Sequence, residues 1–150
     1  MKKYIAAIAS LCLLLTVACS SRQDQIEKAA KGYLQAMGDY QMDDAIPFAT
    51  NYTRENTIPT LKSMLAQADT VYVNQNRPAE ITIKKTEMLS DTSATVYYHK
   101  HTPIKEADGT VTVLLEDGQW LVDVKLGPIH DLNDADSIKG IPPAVLRRLK

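Results

Sequence analysis

Thr110-Val111-Thr112-Val113-Leu114-Leu115-Glu116-Asp117-Gly118-Gln119-Trp120-Leu121-Val122-Asp123-Val124 is the stretch that decides the fold. Val111, Val113 and Leu115 alternate with Thr110, Thr112 and Leu114, and Trp120, Val122 and Val124 alternate with Leu121 and Asp123. Successive side chains of a strand point to opposite faces, so each apolar set shares one face. Asp117-Gly118 suits a tight two-residue turn, because glycine accepts positive φ without a clash. The stretch predicts an antiparallel hairpin with one strongly apolar face.

The same period of two continues upstream. Ala94, Val96 and Tyr98 alternate with Thr95, Tyr97 and His99, and Ile81 and Ile83 with Thr82 and Lys84. Ser90-Asp91 and Asp108-Gly109 are the expected turns between these runs. Four strands in a meander leave an apolar face that needs cover.

Before Ala79 the period is helical. Ile26, Ala29, Ala30, Tyr33, Leu34 and Met37 recur at three- and four-residue steps, predicting a helix from Gln25 to Tyr40 with Asp24 or Ser21 as cap and Gly38-Asp39 as exit. A shorter helix is expected over Asp43 to Thr50, with Asp43 as N-cap. A third should start at Asn56 or Thr57 with Pro59 in its first turn, carry Leu61, Met64, Leu65, Ala68 and Val71, and end at Asn74 to Pro78. The expected class is α+β: N-terminal helices packed on a curved four-stranded antiparallel sheet, cone-like in shape.

The N-terminus speaks of location. Lys2 and Lys3 precede an apolar run, Tyr4 to Ala18, of 15 residues. A bilayer crossing needs about 20. The run fits the apolar segment of a secretory signal. Val17-Ala18-Cys19, followed by Ser20-Ser21, resembles a bacterial lipobox, with Thr16 where many carry leucine. The resemblance implies cleavage before Cys19 and acylation of that cysteine. Thr16 and Ala18 also satisfy the small-x-small rule of an ordinary signal peptidase, which would release a soluble periplasmic protein. The expected organisation is a signal peptide over 1–18, a lipidated tether over 19–24, the α+β domain over 25–126 and a C-terminal extension over 127–150.

Removal of the signal leaves 132 of the 150 residues, enough for one domain with a real core. The 17 basic side chains fall to 15 while all 18 acidic ones stay, a balance of −3. No basic stripe is present, so no nucleic-acid partner is expected. With Cys12 in the signal and Cys19 lipidated, the folded part has no thiol for a disulfide, a zinc site or a nucleophile.

Three stretches resemble the nuclear transport factor 2-like superfold, and small bacterial lipoproteins of unknown function within it. They are Ala30-Lys31-Gly32-Tyr33-Leu34-Gln35-Ala36-Met37-Gly38-Asp39-Tyr40, Met42-Asp43-Asp44-Ala45, and Val111 to Val124. The resemblance spans roughly residues 25 to 126, a match read from pattern. It implies a pocket between helices and sheet, lined by apolar-face residues. It does not imply chemistry, since one fold hosts many functions.

Tyr33, Tyr98 and Trp120 are the candidate pocket residues, large and amphipathic on the core-facing sides; plain packing is the competing explanation. His99-Lys100-His101 puts two imidazoles on one strand face without a visible third ligand, so no metal is expected there. Asp131, Asn133, Asp134 and Asp136 lack the glycine and oxygen ligands of a calcium loop, Asp136 and Ala135 standing in those places. Enzymes of the superfold, such as ketosteroid isomerase, set a pocket carboxylate beside a tyrosine and a protonated aspartic acid. Asp39, Asp43 and Asp44 are the nearest carboxylates here and read as helix exit and cap, and Asp123 points to the other sheet face. No catalytic residue and no cofactor is expected.

The leading expectation is a non-enzymatic binding or accessory module, anchored in a bilayer through acylated Cys19. Ser20 replaces the aspartate that retains many lipoproteins in the inner membrane, which favours the outer membrane facing the periplasm. Its partner would be a small apolar ligand. Two alternatives stay open: a pocket enzyme of isomerase or cyclase type, and a homodimer pairing sheet faces through His99 and Leu114.

Overall fold

The structure, a computed structural model, describes residues 22–126. The signal peptide, Cys19 and the extension from 127 onward lie outside the described residues, as do the aspartates considered for calcium. Helix α1 occupies 22–38, so Arg22 to Asp24, read as tether, are already helical, and Asp24, offered as the cap, lies inside the helix. A 3-10 helix follows at Met42–Phe48. The chain is helical again over 51–65: a π-helical turn, Thr53–Thr57, runs into α2, Ile58–Leu65. Helix α3 is Thr70–Gln75. Strands β1 (Glu80–Ser90), β2 (Ser93–Thr102), β3 (Lys105–Glu116) and β4 (Gln119–Asp123) form one antiparallel sheet in the order β1-β2-β3-β4. The class is α+β, helices followed by a four-stranded antiparallel sheet.

Helix α1 covers the inner face of the sheet and runs antiparallel to β1. Arg22 meets Asp91 at 3.7 Å, Glu27 accepts the Thr86 hydroxyl at 2.9 Å, and Gln35 donates to the Ala79 carbonyl at 2.7 Å. Its stripe of Ile26, Ala29, Ala30, Tyr33 and Leu34 is buried against Val96, Val111, Val113 and Val122. Full burial of one such valine or isoleucine is worth about 1.5–3 kcal/mol. Gly32 makes room for Phe48: a Cβ there would stand 2.5 Å from the ring.

Three expectations need correction. Asp108-Gly109 is not a turn. It lies inside β3, and the chain reverses at Pro103-Ile104, where the Thr102 hydroxyl accepts the Lys105 N–H at 3.1 Å. Gly109 faces Tyr98 across the strands, and the tyrosine ring lies over it: a Cβ there would be 2.6 Å from the hydroxyl oxygen. The third helix does not reach Val71. It stops at Leu65, and Asp69 accepts the Val71 N–H at 2.8 Å to cap α3 afresh. Val71 is exposed. Asp43 is no cap either: Gln41 precedes the 3-10 helix, and Asp43 sits in its first turn.

Candidate functional site

Tyr33 projects from the buried face of α1 and is 3% exposed. Its phenol is pushed up to about 12 by burial, and secondarily by Tyr98 across the helix–sheet interface. Tyr98 is half-buried, and burial raises its phenol too. Both groups are neutral at physiological pH, able to give and take hydrogen bonds but not to act as anionic bases. Trp120, on β4 opposite Leu115, is 7% exposed and packed into the core. The candidate residues therefore differ in access: Tyr33 and Trp120 are core, and Tyr98 retains some exposure.

An accessible cleft of about 490 Å³ opens elsewhere, where α1 ends, lined by Tyr40, Gln41, Met42, Asp43, Asp44, Lys62, Leu65 and Ala66. Tyr40 is its unexpected member. The Tyr40 N–H donates to Met37 O at 3.2 Å and the Gln41 N–H to Ala36 O at 2.8 Å, the two bonds of a Schellman stop. Tyr40 has φ of 61°, a left-handed conformation that glycine usually supplies. Its ring packs on the core, and burial, then Tyr72, raises its phenol. Asp43 and Lys62 pair at 2.7 Å at the cleft.

Lys100 lies on the inner face of β2, two residues from Tyr98. Burial, and then Lys105, lowers its ammonium below the ordinary lysine range. The carboxylates are engaged elsewhere. Asp39 accepts the Ala79 N–H and the Gln35 amide, each at 2.7 Å, which ties the helix exit to the entry of β1. Asp123 accepts the Thr50 hydroxyl at 2.9 Å.

That last bond belongs to a buried array absent from the sequence reading. Thr50, Thr53 and Thr57 are almost fully buried where the helical segment meets the end of β4. Thr50 and Thr53 hydroxyl oxygens are 3.1 Å apart, Thr53 accepts the Val124 N–H at 2.8 Å, and Thr57 donates to the Val124 carbonyl at 2.5 Å. A hydroxyl has one proton. Thr50's goes to the Asp123 carboxylate, the stronger acceptor, so Thr53 supplies the one between the two threonines. Thr50 N–H donates to Val122 O at 3.0 Å, which extends the sheet past β4. The signal available in the sequence was the spacing of three and four between the threonines.

On the outer face His99 meets Asp108 at 2.8 Å and His101 meets Glu106 at 2.9 Å. Among the described residues no group of three His, Cys, Asp or Glu could hold a metal ion. A second groove, about 630 Å³, follows the free edge of β1 beside Lys28, Lys31 and Gln35. Lys84, Lys85 and a bulge between Ile83 and Lys85 mark that edge as guarded against strand pairing.

No family model matches the chain, and no curated protein does. Among solved structures it is similar to an NTF-2-like protein of unknown function from Shewanella oneidensis MR-1, at 19% identity and a TM-score of 0.49, over 67% of this chain and 93% of that one. It is also similar to a putative NTF2-like transpeptidase from Campylobacter jejuni, at 16% identity and a TM-score of 0.46, over 66% of this chain and 97% of that one.

Proposed function

We propose that this chain is a non-enzymatic binding module of the bacterial envelope, lipid-anchored through Cys19, most consistent with the outer membrane facing the periplasm, and that a small apolar ligand enters at the Tyr40 cleft. The observation that supports this most is the cleft itself. It sets the Tyr40 ring, placed by the left-handed stop of α1, beside Met42 and Leu65, an apolar wall with a few polar groups around it. Its charged side chains Asp43 and Lys62 are paired with each other at 2.7 Å, which leaves the apolar wall for a ligand. Ser20 and the Val17-Ala18-Cys19 sequence support the anchor. Replacing Cys19 by alanine should move the chain out of the membrane fraction, and intact mass should show acyl groups on the parent. Retention of the alanine chain, or an unmodified thiol in the parent, would refute the anchor. Mass spectrometry of the natively purified protein should reveal a bound apolar molecule.

One observation favours a second reading, a pocket enzyme of isomerase or cyclase type. Lys100 is a titratable group with a lowered pKa, close in sequence to Tyr98 on the same sheet face. In that reading Lys100 is the base and Tyr98 a hydrogen-bond donor. Ligand turnover abolished by Lys100→Met, with ligand retention intact, would favour it over simple binding.

A further inference from the structure

The end of the domain where α1 begins is also the end where two hairpins turn. Arg22 pairs with Asp91 in the β1–β2 turn, and the Leu115 N–H donates to Thr92 O at 2.8 Å beside it. Met88, Leu89 and Leu115 stand on this rim, 43%, 62% and 37% exposed. We propose that the rim rests on the lipid surface that holds Cys19, its apolar side chains dipping among neutral headgroups. The inference depends on the anchor proposed above.

Chain length compels the approach. Cys19 and Arg22 are three steps apart, and an extended chain spans at most about 3.6 Å per step, so Arg22 stays within roughly 11 Å of the acylated residue. Each headgroup layer is itself about 5–7 Å thick. Met88, Leu89 and Leu115 are therefore kept within reach of the interface, and burying apolar area there is favourable. Among the described residues the rim carries Arg22, Asp91, Glu116 and Asp117, acidic on balance. These charges give no attraction to anionic lipid, so apolar burial is the proposed driving force and added salt should change little. The far end also exposes Ile104 and Val71, but a helix over 22–38 is about 25 Å long and sets them that much farther from Cys19. The orientation turns the Tyr40 cleft, at the other end of α1, away from the bilayer.

The test uses the full lipidated chain in phosphatidylcholine vesicles with brominated acyl chains. Leu89→Trp should add fluorescence that the bromines quench several-fold more than that added by Ile104→Trp, with buried Trp120 as the common background. Hydrogen exchange of the parent chain supplies a readout without a new aromatic: the amides of Ser90 to Thr92 should slow on vesicles relative to detergent. Equal quenching at the two positions, or none at Leu89 in a chain that floats with the vesicles, would overturn the proposal; the latter would mean that residues 127–150 or a second copy cover the rim. A chain that does not float refutes the anchor, and the seating with it.

Discussion

The carboxylate of Asp39 accepts the backbone N–H of Ala79 at 2.7 Å, clasping the exit of α1 to the entry of β1. The second oxygen of the same carboxylate accepts the Gln35 amide, which also donates to the Ala79 carbonyl. Asp39→Ala should destabilise the fold by about 1–3 kcal/mol, because a partly buried amide loses a charged acceptor. Asp39→Asn keeps an acceptor and should cost less. Urea unfolding midpoints give the comparison; equal midpoints for parent and alanine variant would show that water replaces the carboxylate without loss.

Tyr33 makes stability depend on alkaline pH. Its phenol ionises at about 12 in the folded chain and at about 10 when unfolded. Below pH 10 both states are protonated and the group is silent. Between 10 and 12 the unfolded state loses its proton first, so stability falls as pH rises, by up to about 3 kcal/mol for two units. Tyr98 acts in the same direction. Tyr33→Phe should lose less stability across that interval, measured by urea unfolding at stepped pH. A parent and a variant with parallel profiles would mean that Tyr33 is not sheltered in solution.

Gly109 and Tyr98 should show strong coupling. An alanine Cβ at 109 meets the tyrosine hydroxyl at 2.6 Å, so the ring must move. Gly109→Ala should destabilise the parent by about 1–3 kcal/mol. In a Tyr98→Ala background the obstacle is gone, and alanine should be neutral or favourable by about 0.5–1 kcal/mol, since glycine weakens a strand. A double-mutant cycle measures the difference, and additive effects would contradict the packing.

The same pair explains how far the sequence could be read. Asp108-Gly109 and Asp117-Gly118 are identical dipeptides. The second is a true turn, with φ of 51° and 77° at its two residues, and the first is strand. Local chemistry favours a turn at both; at the first the chain has already reversed at Pro103-Ile104, and pairing with Tyr98 and His99 across the sheet holds it extended. Periodicity located α1 and the four strands because one face of each is buried, and that signal is local. It also placed Tyr33, Tyr98 and Trp120 on the inner side. It could not say that Tyr33 and Trp120 are sealed in the core, because access depends on how closely the helix settles. Nor could it show Tyr40 in a glycine's conformation: that strain is sustained by core contacts distant in sequence.

Thr53 should be sensitive to loss of one oxygen. It accepts the Val124 N–H and meets Thr50, in a fully buried position. Thr53→Val keeps the shape and orphans the Val124 amide, a cost of about 1–3 kcal/mol. Thr53→Ser keeps the hydroxyl and should cost less. Hydrogen exchange at Val124 should quicken in the valine variant alone; unchanged exchange would show that this bond does not hold the end of β4.

Tyr40 separates stability from binding. A non-glycine residue in the left-handed region costs about 1–2 kcal/mol. Burying its ring, which is only half-covered, returns part of the 1.5–3 kcal/mol of full burial. Tyr40→Gly relieves the first and forfeits the second, so its urea midpoint should stay within about 1 kcal/mol of the parent. Tyr40→Ala keeps the strain and loses the ring, and should fall by about 1–2 kcal/mol relative to the glycine variant. Both variants remove the aromatic wall of the cleft. An anilinonaphthalene dye that fluoresces in apolar sites should therefore bind either about tenfold more weakly than the parent, a loss of about 1.4 kcal/mol. Undiminished binding to a folded Tyr40→Gly chain would remove the cleft from the ligand site and return the search to the half-buried face of Tyr98.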